Sequence, residues 1–179
     1  RSLSRTLGTL AFGLTTLTAQ QVAAPAIFAN AEGGTTVNVW REVANRYLCI
    51  YDSSSFSDQG AGYPIVIDTV EFRMGGGLVG TATTYPSVEI YLENAAVDYL
   101  SIDPTFANNR TQAQPRTPEY SGPVTLNAAS GGTPNDWVIT IPLQNTFTYN
   151  AETGADLLME IVILAPPTPA LVNTFSTGF

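Results

Sequence analysis

The chain has 179 residues, of which 44% are hydrophobic and only 12% charged, against roughly 25% charged in an average soluble domain. That balance excludes intrinsic disorder, which needs charge and lacks apolar residues, and a coiled coil, which is far richer in Glu, Lys and Arg. The formal charge is −8 and all seven bases are arginine; an acidic chain repels phosphate backbones, so no nucleic-acid partner is expected.

The first element is a leader-like segment. Arg1 and Arg5 give a positive start, Leu7 to Ala19 (LGTLAFGLTTLTA) is apolar, and Ala29-Asn30-Ala31 offers an A-x-A cleavage site before Glu32. This is the three-part pattern of a secretory signal peptide. The apolar run is too short for a stable membrane span, which takes ~20 residues, so no membrane span is expected. Retained in the mature chain, the same run suits a strand donated to another subunit, with Leu7, Leu10, Phe12, Leu14 and Leu17 as its contact residues. Residues 1–31 are thus read as signal peptide or donated segment, and 32–179 as a single domain.

From Thr35 onward the pattern is period-2 alternation broken by Gly, Pro, Asn and Asp. Thr35 to Trp40 reads as a short strand. Tyr47 to Tyr51 (YLCIY) is a compact apolar strand, with Cys49 as a small buried hydrophobe. Pro64 to Met74 puts Val70, Phe72 and Met74 on one face. Ser87 to Glu93 puts Val88, Ile90 and Leu92 inward and Glu89, Tyr91 and Glu93 outward. Val97 to Arg110 is less regular and reads as a helical turn and a loop, with turn chemistry at Ala107-Asn108-Asn109-Arg110. Pro123 to Leu126 is a short strand. Trp137 to Ile141 alternates again. Asp156 to Leu164 (DLLMEIVIL) is the most apolar run and reads as a central strand, ended by Pro166-Pro167-Thr168-Pro169. Val172 to Phe175 is a weak last strand. Strands at this spacing, with no helices between them, predict an all-β fold: an antiparallel two-sheet sandwich, jelly-roll-like. More than about 35% strand and under about 10% helix are expected beyond residue 31. The expected core comprises Val70, Phe72, Ile90, Leu92, Trp137, Ile139, Met159 and Ile161.

The order of these segments carries a resemblance. Arg46-Tyr47, then Tyr51 to Phe56 (YDSSSF), IDTVEFRM, PSVEIYLENAAVDYLSIDPTFANN, YSGPVTL, DWVITIPLQNTFTYN and GADLLMEIVI follow one another from Asn45 to Leu164. This order resembles that of secreted, planctomycete-type bacterial proteins that often carry a PEP-CTERM sorting tail. The resemblance implies secretion and a β-sandwich, and it implies no catalytic residues. The chain departs from the family's pattern by ending at Phe179 without a Pro-Glu-Pro motif, anchor helix or basic tail.

The residue types present restrict the chemistry. With no histidine and no lysine, Ser-His-Asp hydrolysis, Cys-His proteolysis, His-ligated metals and Schiff bases are excluded. The lone Cys49 allows no internal disulfide and no cysteine metal cluster. Carboxylates remain. Glu89 and Glu93 lie about 13 Å apart along one strand, beyond the ~5–9.5 Å of a glycosidase pair, so both read as solvated acids on a sheet face. Asp98 and Asp103 (with Ser101), and Asp52 and Asp58 (with Ser55), are candidate ligands of a structural calcium ion, which wants six to eight oxygens. Neither group matches the D-x-[DN]-x-[DN]-G loop. Tyr63, Tyr85, Tyr91 and Tyr120 are candidate platforms for sugar rings. Asn109-Arg110-Thr111 fits a glycosylation sequon.

These readings converge on a non-enzymatic, extracellular or cell-surface structural protein that needs no cofactor and polymerises with itself by strand addition. The alternative is a secreted carbohydrate-binding module whose partner is an extracellular polysaccharide.

Overall fold

The computed structural model describes residues 20–31, 39–61, 63–73, 75 and 81–167. Strands hold 43% of them and helical turns 13%. Beyond residue 31 the helical share exceeds expectation because short 3-10 turns, Tyr99–Ser101, Phe106–Asn109 and Ala151–Thr153, punctuate the loops; a further turn, Ala26–Phe28, precedes them.

Six strands form on the alternating and the apolar runs: β1 (Asn45–Tyr51), β2 (Ile65–Arg73), β3 (Thr83–Asn94), β4 (Tyr120–Leu126), β5 (Trp137–Tyr149) and β6 (Leu157–Ile163). One four-residue helix, α1 (Ser54–Ser57), lies between β1 and β2. The strands make a two-sheet antiparallel sandwich. One sheet has the order β1-β6-β3-β4 and the other is the pair β2-β5. The run Asp156 to Leu164 is central as expected, since β6 pairs with β1 on one side and β3 on the other. A strand flanked on both sides and covered on both faces has no polar side to show, which explains its unbroken apolar run.

The two sheets meet at backbone groups near β4 and β5. The Glu119 carbonyl accepts from the Gln144 and Asn145 amides at 2.8 and 3.0 Å. The Gln144 side chain pairs with the Ser121 backbone in both directions at 3.0 Å. Bonded neighbours therefore run β1-β6-β3-β4, then β5-β2, with β1 and β2 at the two ends of the series.

The core lies between the sheets. Val88, Ile90 and Leu92 of β3 sit directly beside Ile163, Ile161 and Met159 of β6 and share one cluster with Ile139 and Ile141 of β5 and Phe72 of β2. Val70 and Trp137, expected in this core, are only partly buried. Trp137 opens β5 at the end of the sheet, where Arg73 stacks over its ring at 4.9 Å. The expected strand Thr35 to Trp40 is corrected at its two described residues. Val39 and Trp40 form a bend and are fully buried, with Trp40 edge-on to Phe72 at 5.4 Å. Met74, the predicted strand Val172 to Phe175 and the leader contacts Leu7, Leu10, Phe12, Leu14 and Leu17 lie outside the described residues.

Residues 20–31 lie against the domain. Gln20 Nε2 donates to the Gln59 carbonyl at 2.9 Å, and Arg73 Nη2 donates to the carbonyls of Phe28 and Ala31. No helix of the described residues is long and apolar enough to cross a membrane.

Candidate functional site

The outer face of the four-stranded sheet carries an ionic cluster. Alternation correctly separates Glu89, Tyr91 and Glu93 from the core row, but that face is not open to water. Residues 95–119, which connect β3 to β4, fold back across it. Glu93 is 1% exposed and Glu160 0%, so the reading of Glu93 as a solvated acid is overturned. A carboxylate this deeply desolvated persists only where cations and hydrogen bonds compensate it.

Three arginines supply that compensation, two of them from the covering segment. Arg116 Nη1 donates to Glu93 Oε1 at 2.7 Å, and its Nη2 to Glu160 Oε2 at 2.5 Å. Arg110 Nη2 donates to the same Glu160 oxygen at 2.5 Å. Arg46 of β1 bonds Glu160 Oε1 through Nε. Glu93 Oε2 also accepts from the backbone amides of Thr111 and Gln112 at 3.0 and 2.8 Å. Aromatic rings complete the shell. Arg116 lies 4.2 Å from the Tyr91 ring centroid and Arg46 5.5 Å from that of Phe106, geometries in which a cation meets the negative ring face.

The titration behaviour follows from this packing. Burial pushes the Glu160 carboxyl up, yet the hydrogen bonds from Arg46 and Arg116 and the charges of Arg116 and Arg110 outweigh it, so its pKa is lowered. Burial pulls the Arg110 guanidinium down, helped by the repulsion of Arg116 and Arg46. Glu119, whose carboxylate accepts from the Leu92 amide at 2.7 Å, is raised by burial. Tyr91 is pushed up to about 12 by burial and by its hydrogen bond to Glu89. Glu93 and Glu160 are both buried, so neither carboxylate is open to a substrate. Its geometry fastens the segment 95–119 to the sheet.

The remaining predicted residues are dispersed. Asp52 accepts from the Ser54 amide and Asp98 from the Leu100 amide, each at 2.8 Å, and Asp103 accepts from the Thr105 amide at 2.6 Å. These are turn contacts, in which a short carboxylate satisfies a backbone donor two residues on. Asp58 is exposed beyond α1. Among the described residues, no group of three His, Cys, Asp or Glu side chains comes close enough to hold a metal ion.

The tyrosines do not share a surface. Tyr85 is 0% exposed, in the core beside Trp40. Tyr91 is covered by Arg116. The Tyr120 hydroxyl donates to the Pro123 carbonyl at 2.5 Å. Tyr63 alone of the four is exposed, at 55%. Asn109 of the sequon is buried, its amide bonded to the Asp103 backbone in both directions at 2.8 Å, so it offers no glycosylation site. Cys49 is partly buried, and burial pushes its thiol up to about 12, which keeps it protonated and unreactive.

One signal for the cluster is present in the sequence. Glu160 interrupts the most apolar strand, and a buried acid in a chain whose only bases are arginines demands an arginine partner.

The sheet ends are the second functional feature. Among the described residues β1 bonds only to β6, and β2 only to β5. The two edges differ. β2 has register shifts at Ile67/Thr69 and Phe72/Arg73, carries Asp68, Glu71 and Arg73, and has Gln21 bonded to its Glu71 side chain. β1 has unbroken register, no proline and one charge, Arg46, which is drawn to Glu160. Charges, prolines and bulges are the usual defences of a sheet edge, and β1 has the fewest. No protein family, curated protein or solved structure matches the chain.

Proposed function

We propose that this chain is a non-enzymatic structural subunit of the cell exterior that assembles with itself by strand addition. The observation that carries the reading is the undefended edge of β1. Among the described residues β1 pairs with one strand, β6, and stands at one end of a bonded series whose other end is β2. An added strand gains a ladder of main-chain hydrogen bonds and places alternate side chains against the exposed rim of the core.

The proposed occupant is Leu7 to Thr18 of a neighbouring copy. Leu10, Phe12 and Leu14 recur at period two in the sequence, the spacing that puts side chains on one face of an added strand. Leu7 and Leu17 flank it. Residues 1–19 precede Gln20 in the chain, which is bonded to Gln59 in the loop between α1 and β2. A segment donated from there to the next copy is a head-to-tail contact, which propagates into a filament. The leader-like start and the resemblance to PEP-CTERM-associated proteins support an extracellular location. Low charge and the absence of histidine support a role outside catalysis.

The test removes residues 1–19 and keeps Val39 and Trp40, which the core requires. The full chain is expected to form filaments visible by electron microscopy. The truncated chain should remain monomeric with an unchanged β-type circular dichroism spectrum, and a peptide of residues 7–18 should bind it. Filaments of unchanged length from the truncated chain, or a strictly monomeric full chain retaining residues 1–19, would refute the reading.

A further inference from the structure

Arg110 occupies the cationic end of the buried cluster. Its guanidinium makes one hydrogen bond, from Nη2 to Glu160 Oε2, and shares that oxygen with Arg116. Its Nε is buried without a partner, and its side chain is only 6% exposed. The charges nearest it are unequal: Glu160 attracts, whereas Arg116 and Arg46 repel. The other acids make no bond to Arg110, although Glu93 accepts from the Thr111 and Gln112 amides next to it. Glu93 pairs with Arg116, Glu119 interacts with Arg116 and Glu93, and Glu89 is held by the Tyr91 hydroxyl.

Arg110 also lines a shallow recess of about 330 Å³ on the covering segment, together with Ala107, Thr111, Gln112, Ala113 and Gln114. Gln112 and Gln114 are exposed. A guanidinium carries five N–H donors in a planar fork that matches the two oxygens of a carboxylate. Arg110 has no carboxylate to itself, since Glu160 is shared with Arg46 and Arg116, and a charge-assisted bond is strongest where water is partly excluded. The amides of Gln112 and Gln114 donate and accept, as sugar hydroxyls require, while the methyl groups of Ala107 and Ala113 suit the C–H faces of a ring.

We propose that the recess beside Arg110 binds the carboxylate of a sugar acid, with Arg110 gripping the anion and Gln112 and Gln114 meeting the ring hydroxyls. The site lies on the outer face of the sheet and does not depend on the β1 edge, so assembly and binding fail separately.

The experiment is calorimetric titration of the full chain with galacturonate, galactose and acetate. Galacturonate is expected to bind at one site per chain, more weakly as salt rises. Galactose should give only heat of dilution, and acetate should bind more weakly than galacturonate. Gln112→Glu places a competing carboxylate at the rim of the recess on an exposed residue, so folding is retained. It should weaken galacturonate binding at least about tenfold, a factor worth 1.4 kcal/mol. Arg110→Met should abolish binding, with thermal unfolding confirming that the variant is folded. Absence of galacturonate heat, equal heat from galactose, acetate binding as tightly as galacturonate, or unchanged affinity in Gln112→Glu would each overturn the assignment.

Discussion

The two faces of the four-stranded sheet are built from the same strands and are buried by opposite means. On the inner face Ile90, Leu92, Met159 and Ile161 meet the facing sheet, and their burial is non-directional. On the outer face Glu93 and Glu160 are buried to the same degree, but only through specific bonds to Arg46, Arg110 and Arg116. Hydrophobic burial tolerates a change of shape far better than a change of charge. An ionic cluster tolerates neither loss of a charge nor loss of geometry, because each orphaned partner stays buried. The inner face therefore provides cohesion, and the outer face fixes where a long connection lies.

The largest effect expected is at the inner face. Ile90→Asp places an unpaired charge at a fully buried position. Its cost rivals the ~5–15 kcal/mol that holds a domain folded, so the variant should show no cooperative thermal transition. A folded variant would mean that the inner face is not the core.

Next comes the outer face. Glu160→Gln keeps the shape and removes the charge that Arg46, Arg110 and Arg116 share. It should cost about 3–5 kcal/mol, as breaking a buried ion pair does, measured by urea unfolding. The segment 95–119 should also become more sensitive to limited proteolysis while the strands stay protected. Uniform loss of protection would show that the two faces are not separable.

Acid titration gives the smallest and most selective effect. Glu160 has a folded pKa below the ordinary 4.5. The stability it contributes is therefore fully present above 4.5 and is lost as pH falls through the lowered folded value. Glu119 runs the other way. Its folded pKa is raised, so its protonation at mildly acidic pH favours the folded state. The gap in stability between the native chain and Glu160→Gln should close progressively as pH drops below 4.5. A gap that stays constant to the acid limit would contradict the assignment of the lowered pKa to this cluster.

Much of the fold was legible in the sequence. All six described strands overlap segments read as strands, three from period-two alternation and the others as short or apolar runs, and the run Asp156 to Leu164 is central in its sheet as expected. Strand ends were less legible. The reading of Trp137 to Ile141 stopped eight residues short of β5, which continues to Tyr149. Its second half is bonded to β2 and β4 although Gln144, Asn145 and Thr146 are polar and exposed. Polar residues continue a strand when neighbours supply the ladder, and sequence alternation does not reveal those neighbours.

The candidate site was less legible than the fold. By itself the sequence determined the all-β class and the division of each strand into two faces, because side chains alternate with period two whatever lies beyond the strand. Only the tertiary structure decided what each face meets. Glu93 reads as a surface acid until residues 95–119 fold over it, and Glu160 finds Arg46, Arg110 and Arg116 at sequence separations of 114, 50 and 44. Local pattern sets the direction in which a side chain points. Its solvent, charge state and partners are set by segments far away in the chain.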